Sequence, residues 1–252
     1  MNRTAQLVCV FAGPFFIVCF LIGSVWLARL FPPAIRPQWS AVRVQEYFAM
    51  HQTKIMIGLV FTTVAYGLMA TWGVGMATQT RRKEGAFPTW TYLQLVNMAA
   101  GTAQIVVMGG IFAVADYRPG HFVAGHFISG MDPHITQTMY DLGWLLLLGT
   151  WMTFTFWSVC LGLQILTDKT ESVFPRWSGY VSIAAGIGYM PGSGVWFMKH
   201  GAWGWEGAIA LWWVFLEFGG WVLLFTYLTY RNIKRGYVHE QELAPASAVA
   251  AT

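Results

Sequence analysis

The chain has 252 residues, of which 56% are hydrophobic and only 10% charged, with a formal net charge of +4. Water-soluble domains carry about 25% charged residues, so this composition excludes a surface that is mostly wetted. Its Lys and Arg are scattered through short segments and build no basic patch, which excludes a nucleic-acid partner and leaves the lipid bilayer as the implied one.

A hydrocarbon layer of about 30 Å requires roughly 20 apolar residues as a helix. Six stretches meet or approach that length, so the expected fold is all-α: a polytopic membrane helical bundle of about six transmembrane helices. The first, about 7–31, is too long for a removable leader and lacks a small-residue cleavage site. Cys9 and Cys19 in this run, and Cys160 later, form no CxxC pair and read as small buried hydrophobes with no disulfide. Pro32, Pro33 and Pro37 follow.

The second span, about 53–77, is preceded by His51-Gln52. His51, Lys54, Gly58 and Thr62 share one face, with Tyr66 one turn on. Lys54 either snorkels to the interface or joins a site. Arg81-Arg82-Lys83-Glu84 marks the next loop. In the third span, about 92–115, Gln94, Asn97, Gly101 and Gln104 form a polar stripe. Amides in hydrocarbon need partners, so this stripe should face the bundle, either as interhelical glue or as the wall of a polar pocket.

The segment from Asp116 to Gly130 contains His121 and His126, with His134 soon after. Their spacing matches neither H-E-x-x-H nor CxxC, so no metal ligand set and no cofactor are assigned. Asp132-Pro133 reads as the N-cap and first residue of the fourth helix, whose apolar run covers about 138–166. Asp141 shares a face there with Trp144, Leu148 and Thr155, and either pairs with Arg118 or Lys54 or serves function. The fifth span, about 177–198, is interrupted by Pro191-Gly192-Ser193-Gly194. Either the helix ends at Met190, or broken backbone at membrane depth lines an outward cavity. Ser182, Ala185 and Gly186 permit close helix contact, internal or between subunits of a homo-oligomer.

The sixth span, about 207–230, places Glu217 near the bilayer midplane. A carboxylate costs ~2.5–3.5 kcal/mol there on insertion scales, and no Lys or Arg lies at comparable depth. Glu217 should therefore be protonated or hydrogen-bonded inside the bundle. Glu206, Trp213, Glu217 and Gly220 fall on one stripe of a regular helix.

With six spans both termini lie on one side. That side holds nine Lys and Arg against six opposite, which places the termini in the cytoplasm of a cell whose inner (plasma) membrane the chain crosses. Residues 1–235 form a single bundle domain, and 236–252 are expected to be a disordered cytoplasmic tail. Neither an internal repeat nor a nucleotide-binding signature is apparent.

At Pro32-Pro33, Pro37-Gln38-Trp39-Ser40-Ala41, Glu46-Tyr47-Phe48, Tyr117-Arg118-Pro119 and Asp141-Leu142-Gly143-Trp144, the chain resembles a group of bacterial six-span integral membrane proteins. The resemblance covers most of the chain and carries no activity with it. The chain departs from the group after Arg118, where residues 121–130 look inserted.

These residues lead to the expectation of a membrane enzyme acting on a small lipophilic molecule by acid–base chemistry, of isomerase or hydratase/lyase type. Glu217 is the candidate acid or base, with Glu206, Asp141 and His51 as the outer wall. Asn97 and Gln104 would orient the substrate, and Tyr66, Trp213 and Trp144 would line its pocket. The same Glu217 suits a proton-coupled carrier of a small solute, and the outer histidines suit a haem- or metal-bearing subunit.

Overall fold

The computed structural model describes residues 3–81, 84, 86–168 and 173–249, with side chains as far as 236. Hydrocarbon offers the backbone no hydrogen bonds, so a chain this apolar must satisfy them within helices. Among the described residues it does so in seven: α1 (Arg3–Phe20), α2 (Ala41–Arg81), α3 (Thr89–Tyr117), α4 (Pro133–Gly149), α5 (Met152–Thr167), α6 (Arg176–Gly188) and α7 (Val214–Val249). Among the described residues, five stretches are long and apolar enough to cross a membrane: Arg3–Leu27, Ala41–Arg81, Thr89–Tyr117, Pro133–Thr167 and Gly201–Gly236. The architecture is an all-α membrane bundle. The expectation for the tail falls on side chains outside the described residues.

Contacts between distant segments show how often the chain traverses the bundle. At one end Gln79 Nε2 at the close of α2 donates to Gln6 Oε1 on α1 at 2.9 Å, and Asn232 Nδ2 on α7 donates to Gln79 Oε1 at 2.9 Å. At the other end Gln38 Nε2, after α1, meets His200 Nδ1 at 3.2 Å, and Arg36 pairs with Glu206 at 3.9 Å. Between these ends α6 starts near Phe174, whose ring meets Phe225 on α7. It is too short to span by itself and continues as a 3-10 stretch, Met190–Trp196. The chain therefore passes through the bundle six times, with Gln6 and Asn232 at the same end.

Helix ends follow local chemistry. α2 begins well before the predicted 53, because Ser40 Oγ accepts from Arg43 N and Val44, Gln45 and Phe48 bury an amphipathic first stretch. Its polar residues dilute the hydropathy, so composition alone sees only the membrane part. Glu84 accepts from the backbone N–H groups of Trp90 and Thr91 at 2.8 and 2.9 Å, which sets a carboxylate at the positive N-terminus of α3. Gln164 bridges Glu84 to Gln94 through its amide. Asp132 caps α4 as predicted, accepting from His134 N at 2.7 Å. The segment after α3 folds into a hairpin, β1 (His121–Val123) and β2 (His126–Ile128), closed by Ala124 and Gly125, both at positive φ. Such a two-residue turn requires that backbone at both centres.

Helix regularity fails in four places. α1 passes into a π-helical turn, Leu21–Leu27, and α7 is preceded by another, Ala208–Trp213. α4 and α5 are separated by a break at Thr150-Trp151, and α6 gives way to the 3-10 stretch. The α4–α5 break was not predicted, since the residues around it are uniformly apolar. Its carbonyls find side-chain donors: Leu146 O accepts from Thr150 Oγ1 at 2.6 Å and Gln104 Nε2 at 3.1 Å, and Gly149 O from Ser193 Oγ at 3.1 Å. Trp196 Nε1 donates to Leu145 O at 3.1 Å. The break in the fifth span was expected from Pro191 and lies where Pro191-Gly192-Ser193-Gly194 puts it.

Candidate functional site: a lipophilic cavity between two π-helical turns

The two π turns and the α4–α5 break border one hollow. A cavity of about 370 Å³ lies between α1, α2, α3, α5 and α7, a size within the range of small-molecule sites. Phe16 and Phe20 of α1 and Leu21 and Val25 of the first π turn form one wall. Leu211 and Trp212 of the second π turn, with Phe215, Phe218 and Gly219 of α7, form the facing wall. Phe31, Tyr66, Ile105, Trp151 and Phe154 close the floor and sides. Broken helix geometry at membrane depth persists where it lines a cavity or is buried in protein, and π turns often mark functional positions.

The cavity opens sideways. Leu21, Leu216 and Leu223 line it and are 50%, 71% and 54% exposed, so its mouth faces the layer that lipid chains occupy. Aromatic rings dominate the interior. Phe215 stacks on Phe20 with centroids 5.7 Å apart and meets Phe31 at 4.3 Å. Phe218 meets Trp151 edge-on at 5.3 Å. Two residues with polar groups stand in these walls. Tyr66 is 3% exposed, and Trp151 Nε1 is buried away from the hollow without a partner.

The structure separates the residues that the sequence grouped. Tyr66 alone among them lines the cavity, 3% exposed. Glu217 sits on the other side of α7, its carboxyl against Gly188 of α6 and its Oε2 buried without a partner. Glu206 does not share its face. Glu206 lies in a turn before the helix begins, upstream of the extended Gly207, and pairs instead with Arg36. Trp213 is 57% exposed and turned away from the cavity, whereas Trp144 is fully buried beyond Phe31, stacked against Trp205 at 6.2 Å.

The polar stripe of α3 does not form one pocket wall. Gln104 serves the α4–α5 break, with Thr153 Oγ1 at 3.5 Å from its Oε1, Gln94 joins Gln164, and Asn97 donates to its own helix at Leu93 O, 2.8 Å away. His51 is bonded through Nδ1 to Tyr47 O at 2.9 Å and stacked on the Tyr47 ring at 4.3 Å. Asp141 is half-buried on α4 and outside the cavity, and no ion pair with Arg118 or Lys54 forms. Ser182 makes its close contact inside the chain, donating to Ser158 O at 2.7 Å and accepting from Trp221 Nε1 at 3.0 Å. His121 and His126 lie exposed on the hairpin, and among the described residues no group of three His, Cys, Asp or Glu is placed to hold a metal ion.

Two features escaped the sequence. Asp116, read as a loop residue, lies in the last turn of α3, fully buried with neither carboxyl oxygen partnered, while its carbonyl accepts from Gln52 Nε2 at 2.9 Å. The cavity itself is made of residues that any span would carry. One signal was present: Gly219-Gly220, two adjacent residues without side chains among bulky neighbours, both of which line it. No protein-family profile, curated protein or solved structure matches the chain.

Proposed function

We propose that the protein binds a small lipophilic molecule taken up sideways from the bilayer. The observation that supports this is the cavity of about 370 Å³, walled by apolar and aromatic side chains and open between Leu21, Leu216 and Leu223. A ligand entering there leaves lipid for a surface of similar polarity, so selection rests on shape and ring contacts. Acid–base catalysis as read from Glu217 loses its support, because no carboxyl lines the cavity and Tyr66 carries the one titratable group in its wall. The reading is therefore a binding protein for a lipophile. We place it in the plasma membrane with both termini cytoplasmic, on the excess of Lys and Arg at that end.

A long-chain alcohol carrying a photoreactive diazirine tests the reading on purified protein in detergent. Saturable labelling at Phe20, Trp151 or Phe215, competed by excess unlabelled alcohol and lost in Gly219→Phe, is the expected result. Labelling spread evenly over exposed Val60, Val96 and Val107, without saturation, would show that the hollow is only lipid-filled surface.

A further inference from the structure

We infer that Glu217 is a proton-binding site at the lipid-facing edge of the bundle, separate from the cavity and on the other side of α7. A buried carboxyl oxygen needs a donor, a cation or a proton. Glu217 Oε2 is buried without a hydrogen-bond partner, and no Lys, Arg or His among the described residues forms an ion pair with it. Space decides among the cations. The carboxyl lies against the bare Cα of Gly188, where a single methyl group would overlap it, and the hollow between the π turns does not reach it. A metal ion or an ammonium group brings ligands or hydrogens that this contact does not admit. A proton adds no volume.

The neighbours of the carboxyl can exchange that proton. The Tyr189 hydroxyl of α6 lies beside Ser158 Oγ of α5 and in the field of Glu217, and all three groups have a buried oxygen without a partner. Ser158 and Thr155 of α5 pack against Gly186, two residues before Gly188. Among the described residues Tyr189 is the titratable group that faces Glu217 from a packed helix. α5 brings hydroxyls only, and α7 brings the Trp213 indole. A hydroxyl both donates and accepts, so it can pass a proton to the carboxyl and serve as donor to its anion. Toward lipid the site is not sealed: Glu217 is half-buried, and Trp213 and Leu216 beside it are 57% and 71% exposed.

The test is modification of the full chain in detergent by dicyclohexylcarbodiimide, a lipid-soluble reagent that needs the proton-bearing acid. The carboxyl O–H adds across one C=N bond, and the acyl group then shifts from oxygen to nitrogen to leave a stable N-acylurea. Peptide mass spectrometry reads the yield at Glu217, normalised to the reagent remaining, between about pH 5 and about pH 9. Glu217 should be modified in acid, and the yield should fall by about tenfold or more as rising pH removes the proton, as one titrating group implies. Glu217→Gln should abolish the adduct. Tyr189→Phe takes a donor from the anion and should move the fall to higher pH by about half to one unit. Ser158→Ala should act in the same direction, and a change of packing alone would move neither profile. An absent adduct at every pH overturns the inference, because the carboxyl is then sealed between helices. A yield that is constant with pH also overturns it, because the proton is then held permanently. A fall that neither substitution moves overturns the part assigned to the hydroxyls.

Discussion

Glu217 on α7 lays its carboxyl over the bare Cα of Gly188 on α6, so that a methyl group at position 188 would overlap both carboxyl oxygens. The midplane acid is thereby a contact between two helices at the point where α6 passes into its 3-10 continuation. Glycine at 188 leaves the room that this carboxyl, the far end of a flexible side chain, occupies. Gly188→Ala should displace it and destabilise the protein by about 1 kcal/mol, the low end of overpacking costs. In a Glu217→Ala background the same methyl has room, and its cost should largely vanish, a coupling that distant sites do not show. Thermal unfolding of the four proteins in one detergent measures this. A Gly188→Ala variant as stable as the parent would mean that the two helices are not held this closely.

The glycines of the cavity should respond in the opposite direction. A Cβ built on Gly219 or Gly220 meets nothing within 4 Å. Both sit in the interior of α7, where glycine costs roughly 0.5–1 kcal/mol relative to alanine. Gly219→Ala and Gly220→Ala should each raise stability by about that amount. Gly219→Phe should leave folding intact while filling the hollow, and so abolish saturable labelling. Unfolding curves and labelling stoichiometry report the two effects separately.

The α4–α5 break predicts a non-additive pair. Leu146 O accepts from both Thr150 Oγ1 and Gln104 Nε2. Removing either donor leaves the carbonyl with a partner, so Gln104→Leu and Thr150→Val should each cost about 0.5–1.5 kcal/mol. The double variant strands the carbonyl in the interior and should cost more than the two singles together, by about 1 kcal/mol or more. Simple additivity would indicate that water reaches the break.

The difference between what was legible in the sequence and what was not has a physical basis. The all-α membrane bundle and the cap at Asp132 were legible because bilayer thickness and helix-end chemistry act on local residues. The break at Pro191 was legible for the same reason. The α4–α5 break was not, because its stabilising donors come from Gln104, 42 residues upstream, and from Ser193, 44 residues downstream of the carbonyls they serve. The residues singled out from the sequence and the residues that line the hollow differ because polarity was taken as the marker of a site. In a membrane protein the polar residues Gln94, Gln104 and Ser182 are spent on holding helices together, whereas the hollow is lined by side chains that resemble lipid. The shared stripe of Glu206 and Glu217 failed because a regular helical repeat was carried back past the helix start, and Glu206 lies in the turn before the extended Gly207.

The sixfold passage of the chain predicts which residues share a compartment. Gln38 and His200 meet at one end of the bundle, whereas Gln6, Gln79 and Asn232 meet at the other. α6 alone falls short of a bilayer, and a count restricted to the five long apolar stretches would put Gln6 and Asn232 on opposite sides. Single cysteines at positions 200 and 235, in a background with Cys9, Cys19 and Cys160 replaced by Ser, distinguish the two topologies. A membrane-impermeant maleimide applied to intact cells should label Cys at 200 at once, and Cys at 235 only after permeabilisation. A cysteine introduced at Thr4 should behave like the one at 235. Opposite accessibility of positions 4 and 235 would mean that the α6 and 3-10 segment does not cross. Labelling of both at the outer face, with 200 protected, would keep the six crossings and reverse the orientation assigned from the Lys and Arg distribution.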